Sequence, residues 1–153
     1  MFRLGVTVCS VVVWSASNVS VRYHFTTETS YEDVTLTADT LRVTRFVDST
    51  HRCATWLEQR PCWTQRELRA SIRMLSRSDI LGLEKLIRTS GFLRMQDTIG
   101  ATTAGARYYA EELSVSAGGA TKSVVYRSAP GVSPRLVAFR VVRDRILSLA
   151  RPR

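Results

Sequence analysis

Glu67-Leu-Arg-Ala-Ser-Ile-Arg-Met-Leu75-Ser-Arg-Ser-Asp79-Ile-Leu-Gly-Leu-Glu-Lys-Leu-Ile-Arg-Thr-Ser-Gly91 changes its apolar spacing partway along. As far as Met74 the period is two: Leu68, Ala70, Ile72 and Met74 alternate with Arg69, Ser71 and Arg73, as in a strand whose first set turns inward. Beyond Ser76 the spacing becomes three and four. Ile80, Leu83, Leu86 and Ile87 then share one helical face, with Leu81 beside the stripe. Ser76 is placed to cap the first turn and Asp79 to answer it, in a variant of the capping box. Gly91 supplies a left-handed stop, after which Phe92 and Leu93 are expected to fold back onto the core.

Upstream, residues 19–26 alternate Val19, Val21, Tyr23 and Phe25 against Ser20, Arg22, His24 and Thr26, so His24 falls on the polar, solvated side. Two more strands follow at 33–38 and 40–47, joined by a short turn near Ala38-Asp39, with Leu41, Val43 and Phe46 marking their buried side. Downstream, residues 107–117 and 121–128 form a hairpin across Gly118-Gly119, with Leu113, Val115, Val124 and Tyr126 inside. Ser133-Pro134 starts a last helix, whose stripe is Leu136, Phe139, Val142, Ile146 and Leu149. The expected fold class is α+β: a two-layer arrangement with an antiparallel β-sheet and two helices packed on one face. The other face is solvated, covered by the segment from Asp48 to Gln65, or used for binding; periodicity does not choose.

The 153 residues suit one compact domain, and 44% hydrophobic with 23% charged content is ordinary for a globular chain. Residues 1–17 have the order of a secretory leader: Arg3, a valine-rich run too short to cross a bilayer, then Ser15, Ala16 and Ser17. A buried strand over residues 6–14 is the competing reading. With a leader, residues 18–153 form a single domain and the protein is secreted or periplasmic. The formal charge of +9 rests on 20 arginines and only Lys85 and Lys122, spread from Arg3 to Arg153. No nucleic-acid-binding motif accompanies them, so nucleic acid is not the expected partner.

Loss of the leader would remove Cys9 and leave Cys53 and Cys62, an even count that favours a disulfide in an exported chain. Free thiols and a metal site are the alternatives. His51, Cys53 and Cys62 match no common zinc spacing, and Cys-x-x-Cys is absent. The two histidines, His24 and His51, lie in no nucleophile motif, and phosphate-loop, dinucleotide and His-Glu-x-x-His signatures are missing. Glu111 and Glu112 would face opposite sides of a strand, one exposed and one at an edge. No catalytic residue, metal or cofactor is expected, and the protein is not expected to be an enzyme.

Trp56 and Trp63 stand outside every periodic pattern. They pack inward as the core of their own loop or, with Arg60, anchor a partner; Arg60 and Glu58 are rim charges under the first reading.

From Leu75 to Phe92, then through Tyr109 to Val115, Gly118-Gly119, Ser128-Ala-Pro130 and the closing helix, the chain resembles emfourin-type domains or a related uncharacterised bacterial secreted domain. The resemblance covers residues 66–150. It implies a two-layer α+β protein that inhibits a thermolysin-like metallopeptidase by occluding its cleft. The leader and the cysteine segment depart from that pattern, and no contact residue maps across. The expected function is therefore an exported, non-enzymatic protein-binding domain, with peptidase inhibition as its sharpest form. The alternative is an anion or nucleic-acid binder using strand arginines such as Arg42, Arg69 and Arg73.

Overall fold

The computed structural model describes residues 19–101, 108–128 and 136–151. The expected leader over 1–17, Cys9 and the Ser133-Pro134 helix start lie outside them. Seven strands are found among the described residues: β1 (Ser20–Thr26), β2 (Tyr31–Thr37), β3 (Thr40–Arg45), β4 (Arg69–Met74), β5 (Thr98–Gly100), β6 (Tyr109–Ala117) and β7 (Ala120–Ser128). They form one sheet in the order β4-β3-β2-β1-β6-β7-β5. The helices are α1 (Arg77–Thr89) and α2 (Val137–Ala150). The α+β class is as expected. The sheet is mixed rather than antiparallel, because β5 pairs with β7 in parallel at one edge.

Strand parity sets the two faces. Val21 and Tyr23 of β1, Val34 and Leu36 of β2, Leu41 and Val43 of β3, and Leu113 and Val115 of β6 are all buried. They pack in one cluster with Ile80, Leu83 and Ile87 of α1 and Phe139, Val142, Ile146 and Leu149 of α2. Both helices therefore cover the same side. The Ser76 hydroxyl accepts from Asp79 N at 3.1 Å and donates to its carboxylate at 2.8 Å, which is the anticipated start of α1. Gly91, with φ of 86°, ends it, and Phe92 is fully buried in the short 3-10 turn that follows. Gly118 and Gly119, with φ of 58° and 82°, make the two-residue turn between β6 and β7, a conformation in which side chains are strained.

In β4 the anticipated inward set is inverted. Leu41 pairs with Arg73 and Val43 with Ser71, so Arg73 and Ser71 face the helix layer while Ala70, Ile72 and Met74 face away. Ile72 is 64% and Met74 63% exposed. The cause is the end of α2. Arg73 donates to Leu149 O at 2.6 Å and to Arg151 O at 3.0 Å, and Arg45 donates to Ala150 O at 3.5 Å. These guanidinium groups satisfy carbonyls that a helix end leaves without partners and offset its partial negative charge. An arginine can do this from beneath a helix because its stem packs as hydrocarbon while its head reaches the polar end.

Phe46 is also corrected: its N–H bonds Tyr31 O, which puts it on the face away from the helices rather than in the core. Among the described residues no helix is long and apolar enough to cross a membrane.

Candidate functional site

Between β3 and β4 the chain leaves the sheet, and a network of short-range bonds gives that segment a defined shape. The Asp48 carboxylate accepts from Cys53 N at 2.8 Å and Arg52 N at 3.2 Å, closing the first turn. The Cys53 and Cys62 sulfurs stand at bonding distance with their Cα atoms 5.8 Å apart, so the pair is disulfide-compatible. Arg52 spans the same gap, donating to Cys62 O at 2.8 Å and pairing with Glu67. Hydrogen bonds from Arg52 and Thr64 hold the Glu67 carboxyl below the usual carboxylate range. The return leg is fastened to the sheet, where Cys62 N donates to Glu28 O at 2.8 Å.

The two tryptophans divide their roles. Trp63 turns back onto the face of the sheet that the helices leave uncovered. Its ring lies 5.1 Å from that of Tyr31, edge to face, and 6.4 Å from Phe46, and its indole N–H donates to Thr27 O at 3.2 Å. His24 joins this group, edge-on to Tyr31 and 3.4 Å from Asp33. It is half-buried, not solvated, because the Tyr31 ring stands against it. The cysteine segment thus covers one end of the open face.

Trp56 remains at the tip. Its N–H donates to Arg60 O at 2.7 Å, and the Arg60 guanidinium sits 6.0 Å from its ring centre while pairing with Glu58. Beside it, Leu57 is 95% exposed. Sequence reading singled out Trp56, Arg60 and Trp63 but passed over Leu57; the available signal was an apolar residue in a segment with no period to place it in a core. The loop therefore presents Trp56, Leu57 and Arg60 on a closed frame, while Trp63 serves as its anchor.

The rest of the open face is hydroxyl-rich. Thr35, Thr37, Ser114, Ser116, Thr121 and Ser123 lie on it, and Ser114–Ser123 and Thr121–Ser116 are hydrogen-bonded across strands. The arginines named for anion binding do not converge. Arg42 lies on this face, whereas Arg69 and Arg73 lie on the other, and Arg73 is engaged with α2. Among the described residues, no three His, Cys, Asp or Glu side chains are grouped as a metal set.

A second polar cluster lies under α2. Glu111 shares strand parity with Leu113 and so faces the helices, not an exposed or edge position. Its carboxylate pairs with Arg143 at 2.9 Å and accepts from the Tyr23 hydroxyl at 3.2 Å. Burial, then the charge of Glu111, pushes the Tyr23 phenol well above its ordinary range. The Glu111 and Arg143 side chains are half-buried beside buried Tyr23, and together they make a structural joint between the layers.

No known protein-family model matches this chain, and no curated protein is significantly similar to it.

Proposed function

We propose that this is an exported, non-enzymatic protein-binding domain whose contact surface is the tip of the Cys53–Cys62 loop. The observation that carries the reading is Leu57, almost wholly exposed beside Trp56 on a loop closed by the cysteine pair, by Arg52 and by the bond from Cys62 to Glu28. A leucine in water forfeits about 2 kcal/mol of burial that a partner's pocket would return. A loop already held in shape loses little further entropy on docking, and tryptophan with arginine beside such an anchor is the composition of binding hot spots.

The sharpest version is inhibition of a thermolysin-like metallopeptidase, which the resemblance to emfourin-type domains supports. A closed loop with an apolar tip can enter a cleft, and a disulfide would keep the two ends of a cut loop together. The leader and the disulfide belong to this reading, since an oxidising compartment is where such a pair persists.

Peptide hydrolysis by a panel of metallopeptidases in the presence of excess protein tests inhibition. We expect at least one to be blocked, with Leu57→Asp losing the effect at unchanged melting temperature. Hydrolysis unaffected across the panel removes the inhibitory version. Equal potency of folded Leu57→Asp and the parent protein removes the loop tip as the contact. Intact mass of the exported protein checks the leader and whether two hydrogens are missing.

A further inference from the structure

The β4 edge of the sheet is a second surface, independent of the loop tip. Leu75 N donates to Asp39 O and Phe46 N to Tyr31 O, and together these fix the alternation across β2, β3 and β4. In an antiparallel pair every second residue exchanges backbone bonds with its partner, while the residues between point theirs outward. Residues 69, 71 and 73 thus bond β3, and the N–H and C=O groups of Ala70, Ile72 and Met74 point away from the sheet. The side chains of the last two are 64% and 63% exposed. Natural edges are usually blunted by proline, a bulge or an inward charge, because such a row pairs readily with another strand. No proline or bulge interrupts β4 between Arg69 and Met74, which pairs residue for residue with β3; its inward charges are Arg69 and Arg73, which disfavour a basic partner and favour an acidic one.

We infer that β4 accepts an extended, acidic segment of another protein as an eighth, antiparallel strand, its apolar residues over Ile72 and Met74 and its carboxylates toward Arg69 and Arg73. Charge selects this occupant. A groove of about 360 Å³ runs beside β4, and its lining includes Arg45, Arg69 and Arg73 together with Val47 and Ile72. A strand alternating apolar and acidic residues matches both faces of β4 at once, apolar against Ile72 and Met74 and acidic against Arg69 and Arg73, since its side chains alternate with the same period. A second copy of this chain fits less well: it would bring a further +9 charge and the same arginines to the junction.

The test is fluorescence anisotropy of the full chain with a labelled octapeptide of alternating valine and glutamate. Saturable binding is expected, weakening with salt and at least about tenfold weaker for the valine–lysine counterpart. A valine–glutamate peptide N-methylated at every second residue, which keeps the side chains but cannot complete the ladder, should lose binding. Ile72→Pro, which removes an N–H aimed away from β3, should lose it too, and Arg69→Glu should weaken it several-fold. Leu57→Asp should bind the peptide normally, which separates this edge from the loop tip. Equal binding of the lysine and N-methylated peptides, or full binding by folded I72P, overturns the inference. So does failure to bind the glutamate peptide, whether the protein sediments as a monomer or as a dimer that I72P dissociates.

Discussion

Arg143 of α2 and Glu111 of β6 are joined at 2.9 Å beneath the helix layer, both largely shielded from water, and the Tyr23 hydroxyl donates to the same carboxylate oxygen. This joint ties the helix to two neighbouring strands through one carboxylate. Because the neutral phenol is favoured in the folded state, its folded pKa is raised above the unfolded value of about 10. The stabilisation is therefore complete below pH ~10 and is lost progressively as pH rises from there toward the folded pKa. Chemical denaturation across alkaline pH should show a falling stability in the parent protein and a flatter profile in Tyr23→Phe. Identical slopes would mean that Tyr23 does not titrate differently on folding.

The tryptophans are expected to separate cleanly by stability. Trp63→Ala removes the ring against Tyr31 and Phe46 and the bond to Thr27 O, and should cost about 2 kcal/mol. Trp56→Ala acts at the loop tip and should change stability by less than about 0.5 kcal/mol. Urea melts of the two variants decide this, and a reversed order would place the anchor at Trp56.

Reduction of the cysteine pair should destabilise the protein by about 2.7 kcal/mol if the closed loop acts through unfolded-state entropy. The Cys53→Ser, Cys62→Ser double variant should match it. Intrinsic fluorescence would follow the change, since Trp63 sits on the fastened return leg. A melt indifferent to reductant would show that the turn at Asp48 and the Arg52 bonds hold the loop unaided.

Gly100 has φ of 101°, and a Cβ built on it would lie 2.2 Å from Arg127 O. Gly100→Ala should push β5 off β7 and cost about 3 kcal/mol. Hydrogen exchange should then show lost protection at Ala101 N and Val125 N, which donate across this junction.

Most of the core was legible because its buried strand and helix side chains obey a period the chain itself displays. Leu136, Phe139, Val142, Ile146 and Leu149 are all buried as their spacing requires, and the caps at Ser76 and Gly91 stand where hydroxyl and glycine chemistry puts them. Glu111 could have been read the same way, since it shares parity with Leu113 and Val115, and Arg143 flanks the α2 stripe between Phe139 and Ile146. The orientation of β4 was not legible. Its alternation points the apolar set inward, and only the arrival of the α2 carbonyls, set by tertiary structure, makes an arginine the better inward residue. β5 was missed because three residues have no period, and its pairing depends on β7. In the candidate site, the pairing of Cys53 with Cys62 was expected from the even cysteine count left once Cys9 is set aside, but which tryptophan turns inward depended on where Thr27 and Tyr31 lie after folding.

The sheet order has a consequence for how the chain reaches its native state. β1 lies between β2, its immediate successor, and β6, which is made only after both β4 and α1. One flank of the central strand must therefore wait while most of the polypeptide is still being delivered, and pairings between such distant segments are slow to form. During that interval the β1–β4 meander exposes the full length of β1 as a border opposite β4, where the finished sheet has only the three-residue β5, so the nascent protein is most exposed to wrong pairing before the Gly118-Gly119 hairpin arrives to cover β1.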